Sequence, residues 1–155
     1  MPDKTASGAP FTEEAAQFGC ESDTLYGVIA RPSQPARLGV VVIVGGPQTR
    51  VGSHRQFVLL SRALAAQGFA VLRFDYRGMG DAEGDARDFL AVSEDIGKAI
   101  DYLQEQIPQV QQVALWGLCD GASAALLYCH QSSDTRVKGL CLLNPWVRSA
   151  ASLAR

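Results

Sequence analysis

Between residues 117 and 121 the chain reads Gly117-Leu118-Cys119-Asp120-Gly121. Glycines two positions either side of a nucleophilic side chain suit a sharp strand-to-helix turn, where strand and helix approach too closely for flanking side chains. Val110 to Trp116, before it, reads as a strand; Gly121 to Cys129, after it, reads as a helix kept slim by Ala122, Ser123, Ala124 and Ala125. Such a turn strains the backbone of its central residue. It also leaves Cys119 at the first turn of a helix, facing unpaired N–H groups and the positive end of the dipole, both of which favour a negatively charged sulfur. The chemistry that fits is attack on a carbonyl carbon, with the Asp120 N–H placed to hold the resulting oxyanion. A second donor is expected from the loop Gly45-Gly46-Pro47-Gln48; Pro47 has no N–H, which leaves Gly46 first and Gln48 second. The bland alternative, an inert thiol in an ordinary turn, is disfavoured by the strand, slim helix and Gly-Gly loop occurring together.

A base for this nucleophile is harder to find. There are two histidines, His54 and His130. His130 follows Cys119 on the same expected helix by eleven residues, roughly 16 Å of rise, and cannot reach back to the sulfur. His54 lies in the loop after an early strand and, with Gln48, is a candidate for binding substrate at the mouth of the site. Arg50, His54 and Arg55 form a candidate cationic patch, although loop arginines are most often simply solvated. Gly78-Met79-Gly80-Asp81-Ala82-Glu83-Gly84 superficially matches a dinucleotide fingerprint, but Asp81, Glu83 and Asp85 would repel a pyrophosphate and the apolar helical stripe starts only at Phe89. The four cysteines, Cys20, Cys119, Cys129 and Cys141, show no metal-ligand spacing, so free thiols and no metal or organic cofactor are expected.

The elements that must position Cys119 alternate along the chain. Thr24 to Ala30 is a strand, paired with an earlier one around Glu14 to Gly19 and broken by Pro32 and Pro35. Gly39 to Val44 and Ala70 to Phe74 are buried strands separated by a helix from Phe57 to Ala66. Phe89, Val92, Ile96, Ile100 and Leu103 stripe a further helix that ends at Pro108, and Val137 to Leu143 is a last buried strand. This order implies an α/β fold, a mostly parallel sheet with helices on both faces, with the site outside the carboxyl ends of the strands. Residues 1–12 are expected to be a disordered lead-in and 13–155 one domain. Trp116 and Trp146 are expected to pack near the sheet.

The strand order, Gly45-Gly46-Pro47, Phe74-Asp75-Tyr76-Arg77-Gly78-Met79-Gly80 and Gly117-Leu118-Cys119-Asp120-Gly121 together resemble the α/β-hydrolase superfamily over nearly the whole chain after about residue 20. Gly45 to Arg55 and Trp116 to Ala122 resemble, within it, the hydrolase 1 group encoded beside bacterial exosortase A systems. The resemblance implies an eight-stranded sheet and a triad of nucleophile, then acid, then histidine. This chain matches it only to about the sixth strand, so the acid and histidine are not identified. It also implies that Asp75 and Arg77 are tied into local hydrogen bonds, and that an ester, thioester or lactone is cleaved, dienelactone hydrolase being the parallel for a cysteine elbow. A non-catalytic binding domain, or an inactive fragment that self-associates through an open sheet edge, are the alternatives.

The composition agrees. At 155 residues, 47% hydrophobic and 19% charged with a formal net charge of -2, the chain can bury one core but has no basic field for nucleic acid or anionic membrane. No secretory signal or bilayer-length apolar run is visible, which points to a cytoplasmic enzyme acting on a small acyl substrate.

Overall fold

The computed structural model describes residues 8–145. β1 (Phe11–Cys20) and β2 (Asp23–Pro32) form an antiparallel hairpin in which Phe11 faces Pro32 and Cys20 faces Asp23. Phe11 and Thr12 thus belong to the sheet rather than to a lead-in, because β2 extends to Pro32 and supplies them with partners. β3 (Leu38–Ile43), β4 (Val71–Asp75), β5 (Gln112–Leu118) and β6 (Val137–Leu143) complete a six-stranded sheet of order β1-β2-β4-β3-β5-β6. β2 meets β4 antiparallel, whereas β4, β3, β5 and β6 run parallel to one another.

The β-branched run of β3 explains why both sheet faces are covered. Val41 and Ile43 enter one core with Leu72, Phe74 and Leu115, while Val40, Val42 and Val44 enter the other with Val71 and Phe57. Helix α1 (Gln56–Ala66) covers the second face through Phe57 and Ala65. Helices α2 (Ser93–Gln106) and α3 (Asp120–Ser132) cover the first through Ile96, Ile100, Leu103, Ala124 and Ala125. Each fully buried aliphatic side chain of this kind contributes about 1.5–3 kcal/mol. Trp116 packs on the α1 side, edge-on to Phe57 at 5.6 Å between ring centroids; Trp146 lies outside the described residues.

Two elements differ from expectation. The stripe from Phe89 to Leu103 is not one helix: Asp88 accepts from the Leu90 N–H at 2.9 Å, which closes a short 3₁₀ turn (Phe89–Ala91), and α2 starts afresh at Ser93 after a non-helical Val92. β6 is not buried. Among the described residues it pairs only with β5, and Leu140 and Leu143 are 39% and 45% exposed. Among the described residues no helix is long and apolar enough to cross a membrane.

The turn after β4 is closed by local bonds, among them Met79 N–H to the Tyr76 carbonyl at 3.0 Å and Asp81 N–H to Asp75 Oδ2 at 3.4 Å, and is anchored by long-range ones. Asp75, fully buried, accepts from the Arg50 backbone N–H at 2.6 Å and pairs with the Arg50 guanidinium, which also reaches Asp81 at 2.6 Å. Arg77 donates its backbone N–H to Asp95 of α2 at 2.8 Å, grips the same carboxylate through Nη2 at 2.9 Å, and pairs with Glu21. A carboxylate eighteen or more residues away cannot be recognised from the motif itself, which is why the local reading was incomplete.

Candidate active site

β3 is flanked by β4 on one side and β5 on the other, so chain connections leave it in opposite directions and open a crevice at the carboxyl ends of β3 and β5. The Gly45 loop follows β3 and the Cys119 turn follows β5. These two segments touch. A Cβ on Gly121 would collide with the Ile43 carbonyl oxygen, one on Gly45 would collide with the Gly121 nitrogen, and one on Gly117 would lie 2.5 Å from the Gly121 carbonyl. The glycine spacing is therefore a packing requirement of the turn.

Cys119 itself adopts φ 52 and ψ -116 at the N-terminus of α3, a conformation that a side chain-bearing residue takes only under constraint. Its N–H donates to the Leu143 carbonyl at 2.8 Å and its carbonyl accepts from Ser123 at 3.1 Å, which pins the turn from both sides. The side chain projects into a hollow of about 370 Å³ lined by Gly45, Gly46, Pro47, Gln48, Cys119, Asp120 and Asn144. Gly46, at φ 63, and Asp120, in the first turn of α3 where N–H groups have no intrahelical acceptor, both border it.

Asn144 is the site residue that sequence reasoning missed. Its Nδ2 lies 3.6 Å from Cys119 Sγ, within range of a weak N–H to sulfur hydrogen bond. It stands just past β6 in a left-handed conformation, φ 51, and neither fact is visible in a lone Asn-Pro dipeptide. Gln48 is where expected; its Oε1 accepts from Gln56 Nε2 at 2.9 Å, so its own amide N–H groups are the free part. Asp120 Oδ1 is buried without a hydrogen-bond partner.

A family model described as serine aminopeptidase, S33, matches residues 35–155. The chain belongs to this hydrolase family. No curated protein sequence matches this chain significantly. Among solved structures it is similar to the α/β hydrolase GrgF from Penicillium sp. sh18, with a TM-score of 0.76 and 24% identity over 89% of this chain and 47% of that one. It is also similar to esterase Pf2001 from Pyrococcus furiosus, with a TM-score of 0.72 and 19% identity over 83% and 51%. Est1E from Butyrivibrio proteoclasticus, solved with ferulic acid, gives a TM-score of 0.69 and 21% identity over 81% and 51%. At these identities the likeness shows the α/β-hydrolase fold. The chain spans about half the length of these structures.

The other nominated residues fall outside the hollow. His54 is exposed in a short 3₁₀ turn (Ser53–Arg55) and does not line it. His130, at the far end of an unbroken α3, instead borders an apolar cleft of about 500 Å³ with Phe89, Leu126, Leu127 and Pro145. Arg50 is held by Asp75 and Asp81, so it is not part of a free cationic patch with His54 and Arg55. All four cysteines are free; burial pushes Cys20 up to about 11 and raises Cys129. No group of three or more His, Cys, Asp or Glu lies together among the described residues in the manner of a metal site.

Proposed function

We propose that this hydrolase cleaves an ester, thioester or lactone by acyl transfer to Cys119. The observation that carries the reading is the strained Cys119 backbone at a helix N-terminus, which presents sulfur to a hollow bordered by Gly46 and Asp120. The thiolate adds to the acyl carbon, and the carbonyl oxygen takes the negative charge between the Gly46 and Asp120 N–H groups. Collapse breaks the bond to the alkoxide or thiolate leaving group, which takes a proton from water; a second water then hydrolyses the S-acyl intermediate and returns the thiol. The attacking thiolate forms by loss of the thiol proton to water.

The resemblance of residues 45–55 and 116–122 to hydrolases encoded beside exosortase A systems supports a setting in bacterial exopolysaccharide production or envelope protein sorting, with the enzyme itself inside the cell. The test is incubation with p-nitrophenyl acetate followed by intact-mass and peptide mass spectrometry. One acetyl group on Cys119, absent in Cys119→Ala and absent from Cys20, Cys129 and Cys141, is the expected result. Acetylation spread over several thiols, or none, would leave a non-catalytic binding domain as the better reading.

A further inference from the structure

Across the Gly46-Pro47 ridge from Cys119 lies a second hollow, of about 310 Å³, bordered by Thr49, Tyr76, Met79 and Arg87. Gly46 and Pro47 line both hollows, so a ligand seated over Cys119 enters the second by crossing a single loop. The two differ in charge. The only formally charged side chain in the second lining is that of Arg87, whereas the Cys119 hollow contains Asp120.

Arg87 is half-buried and its Nε donates to the Asp85 carbonyl at 3.3 Å; among the described residues its guanidinium has no ion-pair partner. The neighbouring acids do not cancel it within the hollow. Asp85 and Asp88 lie outside the lining, Asp88 caps the Leu90 N–H, and the buried Asp75 is paired with Arg50. Tyr76, 4% exposed, is pushed up to about 12 by burial, with the charges of Asp120, Asp95 and Asp88 adding to the shift, so its hydroxyl remains a neutral donor at physiological pH. A cation with unused N–H groups beside a neutral phenol and the Thr49 hydroxyl makes a donor-rich pocket whose own lining carries no carboxylate.

We propose that this hollow binds an anionic group, a carboxylate or phosphate, carried by the acyl substrate and held by Arg87 and Tyr76 while the acyl carbon lies over Cys119. This rests on the nucleophile reading above. The orientation follows from the linings, Asp120 bordering the Cys119 hollow and Arg87 the second, so the anionic end is favoured on the Arg87 side. The ligand class is thus an ester, thioester or lactone with a negative charge a few bonds from the scissile carbonyl.

Iodoacetamides of one length, ending in a carboxylate, a phosphate or a neutral carboxamide, test this on the chain as it stands by labelling rate at Cys119. The anionic reagents should react about tenfold faster than the carboxamide at low ionic strength, with the advantage shrinking as salt is added. In Arg87→Gln the ratio should fall to about one, and Arg87→Lys should restore part of it. The faster of the two anions names the group bound. Equal rates in the wild type, or an advantage that survives Arg87→Gln, would overturn the inference while leaving Cys119 reactive. If no reagent labels Cys119 faster than the exposed Cys141, the nucleophile reading itself fails and this inference with it.

Discussion

The carboxamide of Asn144 faces the sulfur of Cys119 across 3.6 Å, and the two residues are joined again through the backbone, where the Cys119 N–H donates to Leu143. An amide donor beside sulfur favours the charged nucleophile; a carboxylate in the same place would oppose it. Even a contact of about 1 kcal/mol changes a rate about fivefold, so a weak bond here is large enough to read. Asn144→Asp should slow iodoacetamide labelling of Cys119 at neutral pH by about tenfold, with Asn144→Ala in between. Equal rates in all three proteins would show that the contact does not act on the sulfur.

Gly121→Ala drives a methyl group into the Ile43 carbonyl oxygen, a backbone atom that cannot move without shifting β3. A loss of about 3 kcal/mol or more in urea unfolding is expected, with the acylation site lost as well. Gly19, in exposed β1, has nothing within 4 Å of an added Cβ. Gly19→Ala should be neutral or stabilising by up to about 1 kcal/mol. Similar costs at the two positions would mean that the elbow is not tightly packed.

Removing the Arg50 guanidinium strands the buried Asp75 carboxylate. Breaking a buried pair on one side costs about 3–5 kcal/mol. Arg50→Met should therefore unfold at clearly lower urea, whereas Arg55→Met, in the exposed turn, should stay within about 0.5 kcal/mol of the wild type. Equal effects would return Arg50 to the solvated patch.

The Arg136 guanidinium hydrogen-bonds Asp134 and holds its carboxyl well below the usual carboxylate range; burial opposes this, and the Tyr128 hydroxyl, 2.6 Å away, adds to the lowering. A depressed native value stabilises the fold above the unfolded carboxylate value of about 3.9, and that contribution drains away as pH falls toward the native one. Asp134→Asn should accordingly be less stable at pH 7, and the gap should begin to narrow once pH falls below about 4 and go on narrowing as pH drops further. A gap that is constant from pH 7 to pH 3 would contradict the charge-based account.

How legible the molecule was in its sequence depended on the range of each determinant. β3, α1, β5 and β6 could be placed within a residue or two because apolar runs and periodicity report local burial, and Gly117, Cys119 and Gly121 because the turn is five residues long. Val137 to Leu143 reads as a buried strand because it is apolar, but burial of a strand depends on a neighbour, and among the described residues β5 alone pairs with it. The Asp88 cap that splits the stripe into a 3₁₀ turn and α2 competes with helix propensity over one hydrogen bond. Asn144 and Asp95 carry no sign of their roles in the sequence, and Arg50 reads there as a loop cation rather than as the partner of Asp75. Their roles exist only when the sheet brings segments eighteen to twenty-five residues apart into contact.

The hydrogen bond from Cys119 to Leu143 ties the reactive sulfur to the rim strand of the sheet. The last residue of β6 is thereby part of the nucleophile turn, so a substitution that shifts the end of β6 also shifts the backbone that presents sulfur to the hollow.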